Sequence, residues 1–268
     1  MKKMFALVMV TLMVLSCLAA CGTAPAAPET PAAPATDLDY ILNNGKIVVG
    51  ITDYAPMDYK DENGEWTGFD AEFARLFAKE LGVEVEFFLL SDWDQRFYEL
   101  ETKNIDVIWN GMTISDVVTA NCSCSDPYVV NAQVVVMKAD VVGNYPDLES
   151  IMDLNFAVEK GSVAEDLLEE KGIKNYVTMQ DMGMALMEVA SGTADACVID
   201  ITMAGAMIGE GTSYEDLAMG VRLTEEQYGV GFRKDSDVTA KLNEFMKKLM
   251  GDGTLDALAE KYNLVLVK

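Results

Sequence analysis

The sequence predicts an α/β fold in which mostly parallel sheets are flanked by helices. Two observations carry this. Short apolar strands alternate along the chain with amphipathic helical stretches, and the strands end in small polar turns that open onto helix N-termini. The run from Lys103 to Tyr128 holds both features: an apolar strand, then Asn110 and Gly111, then Thr113-Ile114-Ser115-Asp116. Ligands of open α/β sheets sit at such strand ends, where backbone N–H groups are left free.

Asp39 to Asn44 reads as a short helix and Lys46 to Ile51 as a first buried strand. Thr52 to Met57 is an irregular turn, and Asp61 to Glu65 a hairpin tip. A helix follows Gly68, with Phe69, Phe73, Leu76, Phe77 and Leu81 on one face and Gly82 as its stop. Val83 to Phe88 alternates as a strand, and Ser91-Asp92-Trp93-Asp94 caps a helix running to about Lys103. After the strand from Ile105 to Trp109, Asn110 and Gly111 turn the backbone. Ser115 is then an N-cap, with Asp116 favoured by the helix dipole. Ser125 to Tyr128 reads as a tight turn.

Val129 to Met137 is a β-rich run, taken as a crossover into a second lobe. There, Asp147 to Leu154 is a short helix, Asn155 to Glu159 a strand, and Gly161-Ser162-Val163 a turn into another helix. Met182 to Ala190 is an amphipathic helix, and Ala194 to Ile199 a buried strand with Asp200 at its end. Tyr228 to Phe232 returns to the first lobe. Two helices close the chain: Val238 to Met250, with Leu242, Phe245, Met246 and Leu249 inward, and a last one from Thr254 to Tyr262.

Ahead of this body, Lys2 and Lys3 precede an apolar run from Phe5 to Leu15, which is the pattern of a secretory leader. Leu18-Ala19-Ala20-Cys21-Gly22 resembles a bacterial lipobox, which implies cleavage before Cys21 and lipidation of its thiol. Gly22 to Thr36 is rich in Ala and Pro and reads as a semi-extended tether. The expected organisation is a signal peptide over 1–20, a lipidated cysteine and tether over 21–36, lobe one over 37–131 plus 229–268, and lobe two over 132–228.

The 268-residue chain carries a net charge of −24, and the charge becomes more negative if a leader with Lys2 and Lys3 is removed. Such a surface repels nucleic acid and anionic headgroups, so neither is expected as a partner beyond a lipid anchor. There is no histidine, which removes the commonest general base and metal ligand. Cys122 and Cys124 lie too close in sequence to pair comfortably, and Cys197 sits in an apolar strand. Without C-x-x-C units no metal and no cofactor is expected. A disulfide from Cys197 to Cys122 or Cys124 stays open.

Ile105 to Ile108, Gly111 to Ser115 and Ser125 to Tyr128, in this order and spacing, resemble the family 3 extracellular solute-binding proteins, the polar amino acid-type receptors of ABC importers. The likeness extends from about Ile47 to Asn263. It implies a two-lobed, type II periplasmic-binding-protein-like (Venus flytrap) fold that closes on a small amino acid or amine. It also implies delivery to an ABC permease from the extracytoplasmic face of the membrane, by a monomer without catalytic residues. It places Tyr54 and Trp93 on either side of the ligand and Asp200 on its amino group, with Asp53 as a weaker acidic candidate. Asn110, Gly111, Thr113, Gly161 and Ser162 would add hydrogen bonds, although turn chemistry alone accounts for them.

The family's carboxylate-binding arginine falls on Val118, and an assisting hydroxyl on Val163. Two ligands follow from this: a cationic amine with a weakly held or absent α-carboxylate, or an ordinary amino acid held through Arg96 and backbone amides. A dehydratase-like enzyme or a sensor on the same fold is the alternative function.

Overall fold

The computed structural model describes residues 36–268; the leader, Cys21 and the tether up to residue 35 lie outside them. The body opens with α1 (Asp37–Asn44), capped by Thr36 in a reciprocal capping box with Asp39. Then come β1 (Lys46–Ile51), a hairpin of β2 (Tyr59–Lys60) and β3 (Trp66–Thr67), α2 (Phe69–Leu81), β4 (Glu84–Leu89), α3 (Arg96–Glu101), β5 (Val107–Thr113), α4 (Asp116–Asn121), β6 (Ser123–Cys124) and β7 (Val129–Asn131). The next stretch builds a second sheet. It holds β8 (Gln133–Lys138), α5 (Leu148–Ile151), β9 (Phe156–Glu159), α6 (Val163–Lys171), β10 (Tyr176–Met179), α7 (Met182–Ser191), β11 (Ala196–Asp200), α8 (Ile201–Met207) and β12 (Leu217–Arg222). The chain then re-enters the first sheet with β13 (Glu226–Phe232) and ends in α9 (Val238–Gly251) and α10 (Thr254–Lys261).

The first sheet has the order β4-β1-β5-β13-β6, with β7 also paired to β13. Its β4, β1 and β5 are parallel, and β13 runs antiparallel to β5. The second sheet repeats the plan in the order β10-β9-β11-β8-β12, with β10, β9 and β11 parallel, β8 antiparallel to β11, and β12 antiparallel to β8. In each sheet the strand that runs against the βαβ units is the one that enters from the other lobe, β13 in the first and β8 in the second. The main crossover falls at Ala132, which is fully buried between β7 and β8.

Several local expectations change in three dimensions. Asn110 and Gly111 do not turn the chain: they lie inside β5, where the register opposite β13 slips between Gly229 and Gly231. Gly111 takes φ +58°, the left-handed conformation that such a bulge asks of glycine. Ser125 to Tyr128 is extended rather than a tight turn. Its backbone instead pairs with β13 through Ser125 N–H to Val230 O (2.9 Å) and Tyr128 N–H to Tyr228 O (3.0 Å). At the start of α3 the helix is preceded by a 3-10 turn over Trp93–Gln95, and Asp92 makes no side-chain cap bond. The strand β13 begins at Glu226, ahead of the Tyr228 expected. Cys122, Cys124 and Cys197 are free thiols; Cys197 lies in β11 of the second sheet, whereas Cys122 caps the C-terminus of α4 and Cys124 lies in β6 of the first sheet.

Beneath the bulge, Asp70 is fully buried. It accepts the Gly111 N–H at 2.6 Å and the Tyr128 hydroxyl at 2.8 Å. Burial pushes its carboxyl up to about 7 despite these donors, and burial beside Asp70 holds the Asp58 carboxyl well above its ordinary value. The folded protein therefore keeps protons that the unfolded chain releases near pH 4. Stability contributed by these groups is present below that pH and is lost as pH rises toward 7, at about 1.4 kcal/mol per pH unit for each proton. Thermal melting followed by circular dichroism between pH 4.5 and 7.5 should show a shallower decline for Asp70→Asn than for the parent; equal slopes would refute this.

A methyl group at Gly111 would sit 2.5 Å from the Tyr54 ring and 3.2 Å from the Tyr228 ring, on backbone with positive φ. Gly111→Ala is expected to cost about 1–3 kcal/mol, read as a lowered midpoint of chemical denaturation. An unchanged midpoint would mean that the two tyrosines move aside freely.

Candidate functional site

Strand ends of both sheets converge on one cavity. It is lined by Tyr54, Trp93, Arg96, Asn110, Gly111, Met112, Thr113 and Val118 from the first sheet and its helices. The opposite wall is Gln133, Glu159, Ser162, Val163, Ala164, Met182 and Asp200. The enclosed volume is about 30 Å³, far below the several hundred Å³ of a small-molecule site. A solute can enter only when the two walls part.

Of the nine residues that the sequence points to, Tyr54, Trp93, Asn110, Gly111, Thr113, Ser162 and Asp200 line this cavity. Asp53 does not. The chain alternates through the turn, so Thr52 and Tyr54 are buried while Asp53 between them is exposed. Gly161 lies just outside the lining and helps through its carbonyl, which accepts Arg96 Nη1 at 3.2 Å.

Most of the polar members are already engaged within the protein. Asn110 clamps β5 to the end of β1: its Oδ1 accepts Thr52 N–H at 2.8 Å and its Nδ2 donates to Thr52 Oγ1 at 2.7 Å. Ser162 caps α6 by accepting Glu165 N–H at 3.3 Å. The Thr113 hydroxyl donates to Glu226 Oε1 at 2.8 Å. The Tyr54 hydroxyl bonds the Tyr228 hydroxyl and, across the two sheets, Thr202 Oγ1 at 2.5 Å.

Asp200 sits at the N-terminus of α8 but makes no cap bond with its side chain. Its Oδ1 instead accepts from Asn131 Nδ2 and from Gln133 Nε2, the latter at 2.7 Å. The same two amides donate to Glu226 Oε1 at 2.6 and 2.8 Å. Burial raises the Asp200 carboxyl to about 8, Glu226 adds to the rise, and the Asn131 and Gln133 amides oppose it.

Two charged residues in the lining have open valences. Arg96 is 6% exposed; its Nη1 donates to Trp93 O at 2.8 Å, while its Nε is buried without a partner. The guanidinium lies 4.7 Å from the Trp93 ring and 4.3 Å from the Phe97 ring, within cation–π range of both. Burial lowers it to about 10, with Glu159 and Asp94 opposing, so it stays charged at neutral pH. The other arginines are committed elsewhere. Arg75 donates to Trp66 O, Arg233 pairs with Asp37 and Asp106, and Arg222 lies at the surface near Glu225.

The second open group is Glu159, 4% exposed at the C-terminal end of β9. Burial holds its carboxyl well above the ordinary value, Asp200 and Asp181 push the same way, and Arg96 opposes them. Sequence reasoning missed Glu159, although its signal was the one that singled out Asp200: a carboxylate closing an apolar strand. Gln133, Met112, Ala164 and Met182 carried no comparable signal. Among the described residues, no group of three or more His, Cys, Asp or Glu side chains could hold a metal ion.

Residues 47–265 match the model of the bacterial extracellular solute-binding proteins, family 3. The chain is 31% identical to the probable amino-acid-binding protein YxeM of Bacillus subtilis, over 98% of this chain and 95% of that one. Among solved structures it is similar to the arginine-bound form of truncated ArgBP from T. maritima, with 31% identity, 79% of this chain and 99% of that chain covered, and a TM-score of 0.73. It is also similar to the ancestral amino acid-binding protein AncCDT-1, a precursor of cyclohexadienyl dehydratase. There the identity is 33%, the coverage 84% and 98%, and the TM-score 0.77. With its two sheets, its two crossovers and strand ends that meet in one cavity, the chain belongs to the family 3 bacterial extracellular solute-binding proteins.

Proposed function

We propose that this protein is a lipid-anchored receptor of an ABC importer, which captures an amino acid-like or amine solute between two lobes and passes it to the membrane permease. The observation that carries this reading is the cavity itself: strand ends of both sheets enclose two buried carboxylates, Asp200 and Glu159, beside Tyr54 and Trp93. Desolvated carboxylates and aromatic faces together favour a cation. The amino acid-binding names of the relatives agree with such a solute. Lobe one would comprise 37–131 plus 226–268 and lobe two 132–225, hinged at the crossovers; the boundary expected at 229 moves to 226 because β13 of the first sheet begins at Glu226. Closure about that hinge would bring the walls together.

Binding without chemistry is the function assigned here, by a monomer tethered through Cys21 on the extracytoplasmic face. The likeness to a dehydratase precursor makes an enzyme the competing reading, and a prephenate turnover assay is its test. A thermal-shift panel of amino acids and amines tests the receptor itself. At least one amine-bearing solute should raise the melting temperature and, by solution scattering, reduce the radius of gyration. The Asp200→Asn variant should bind that solute about 10- to 100-fold more weakly, the loss of one charge-assisted bond. No shift with any member of the panel would overturn the proposal.

The anchor is tested separately. Cys21→Ala should release the protein into the medium or leave its leader uncleaved. Retention on the membrane equal to that of the parent would remove the lipid from the account.

A further inference from the structure

We infer that the site is built for a diamino acid, with Arg96 taking the α-carboxylate, Asp200 the α-ammonium and Glu159 the side-chain cation. This rests on the receptor reading above and names its substrate class.

The first support is charge complementarity. The cavity presents one guanidinium and two carboxylates, all at least nine-tenths buried. A neutral amino acid would leave one carboxylate facing an apolar group, and a simple amine would leave the guanidinium unanswered. Either mismatch leaves a buried group without its counter-charge, which keeps a carboxyl protonated or strands the guanidinium. An anion paired with two cations answers all three.

The second support is the position of Arg96. Val118 of α4 and Val163 at the start of α6 both face this cavity with apolar side chains. Arg96 reaches this cavity from α3 instead, held over Trp93 and Phe97, with its Nη1 fixed by two carbonyls and its Nε free. A fork already oriented loses little entropy when it binds a carboxylate. Small apolar side chains at 118 and 163 leave it the room that a second long side chain would take.

The third support is the freedom of Glu159. Asp200 is held by two amides, whereas the Glu159 carboxyl stands in the cavity wall, 4% exposed, with Arg96 and Asp200 lining the same space. A buried carboxylate with unused lone pairs in a cavity wall fits a ligand's cation, as it must otherwise stay protonated.

Calorimetry on the full chain with two matched trios decides it: L-lysine, cadaverine and L-norleucine; L-arginine, agmatine and L-citrulline. Within at least one trio, the diamino acid should bind about 10- to 100-fold more tightly than both of its analogues. Arg96→Met should erase the advantage over the decarboxylated amine, and Glu159→Gln the advantage over the neutral amino acid, with melting curves confirming that both variants fold. If the amine binds as tightly as its amino acid, the role of Arg96 is wrong; if the neutral analogue does, that of Glu159 is wrong. Binding of neutral amino acids alone would overturn this inference and leave the receptor reading intact, whereas no binding of any amine would end both.

Discussion

The chain must pass between its two sheets, and the polar groups at that passage are satisfied by one network. Asn131 and Gln133 flank the buried Ala132 and, two residues apart on extended chain, point to the same side. Each donates to both Asp200 and Glu226. Asp200 closes β11 of the second sheet and Glu226 opens β13 of the first. The backbone agrees: Ile201 N–H donates to Ala132 O and Leu223 N–H to Gln133 O, each at 2.8 Å. Removing one partner from such a network strands a buried charge, so its members depend on one another. The carboxylate best placed to meet a ligand is thus fastened to the crossover about which the lobes would turn, and ligand contact and lobe position share one set of bonds.

A second layer supports the first-sheet wall. Gly111 bulges out of β5 so that its N–H reaches Asp70, and the absence of a side chain lets Tyr54 and Tyr228 close over it. Phe69, Phe73 and Tyr128 pack around the same place, with Phe73 edge-on to Trp109 at 4.8 Å. Trp109 is accordingly a core residue, while Tyr54 turns its hydroxyl toward Thr202 across the cavity. Buried carboxyls recur at Asp58, Asp70, Asp106, Glu159 and Asp200, and of these Glu159 and Asp200 face the cavity.

Much of this architecture could be read from local pattern. The glycine stop at Gly82, the cap at Ser115, the turn into a helix at Gly161-Ser162-Val163 and the buried faces of α2 and α9 all stand where spacing and turn chemistry put them. Less legible were the short edge elements. The strand β10 is half exposed, with no alternation in its burial, and β12 carries a register shift that breaks its pattern. The extended course of Ser125 to Tyr128 also escaped notice, because Ser, Asp and Pro signal a turn unless a distant strand takes their backbone bonds, as β13 does.

By itself the sequence determined the order of strands and helices, the places where strands end in polar residues and the shortage of basic groups. All three follow from periodicity, capping and composition, which act between near neighbours. Only the tertiary structure decided which strand ends meet. It decided that Asn110 is consumed in bonding Thr52 and that Asp53 faces outward. It joined Glu159 to Asp200, and it brought Arg96 from α3 into a cavity also lined by Val118 of α4. Those pairings span tens of residues along the chain. They depend on how two sheets are set against each other at Ala132, a relation that no local spacing encodes.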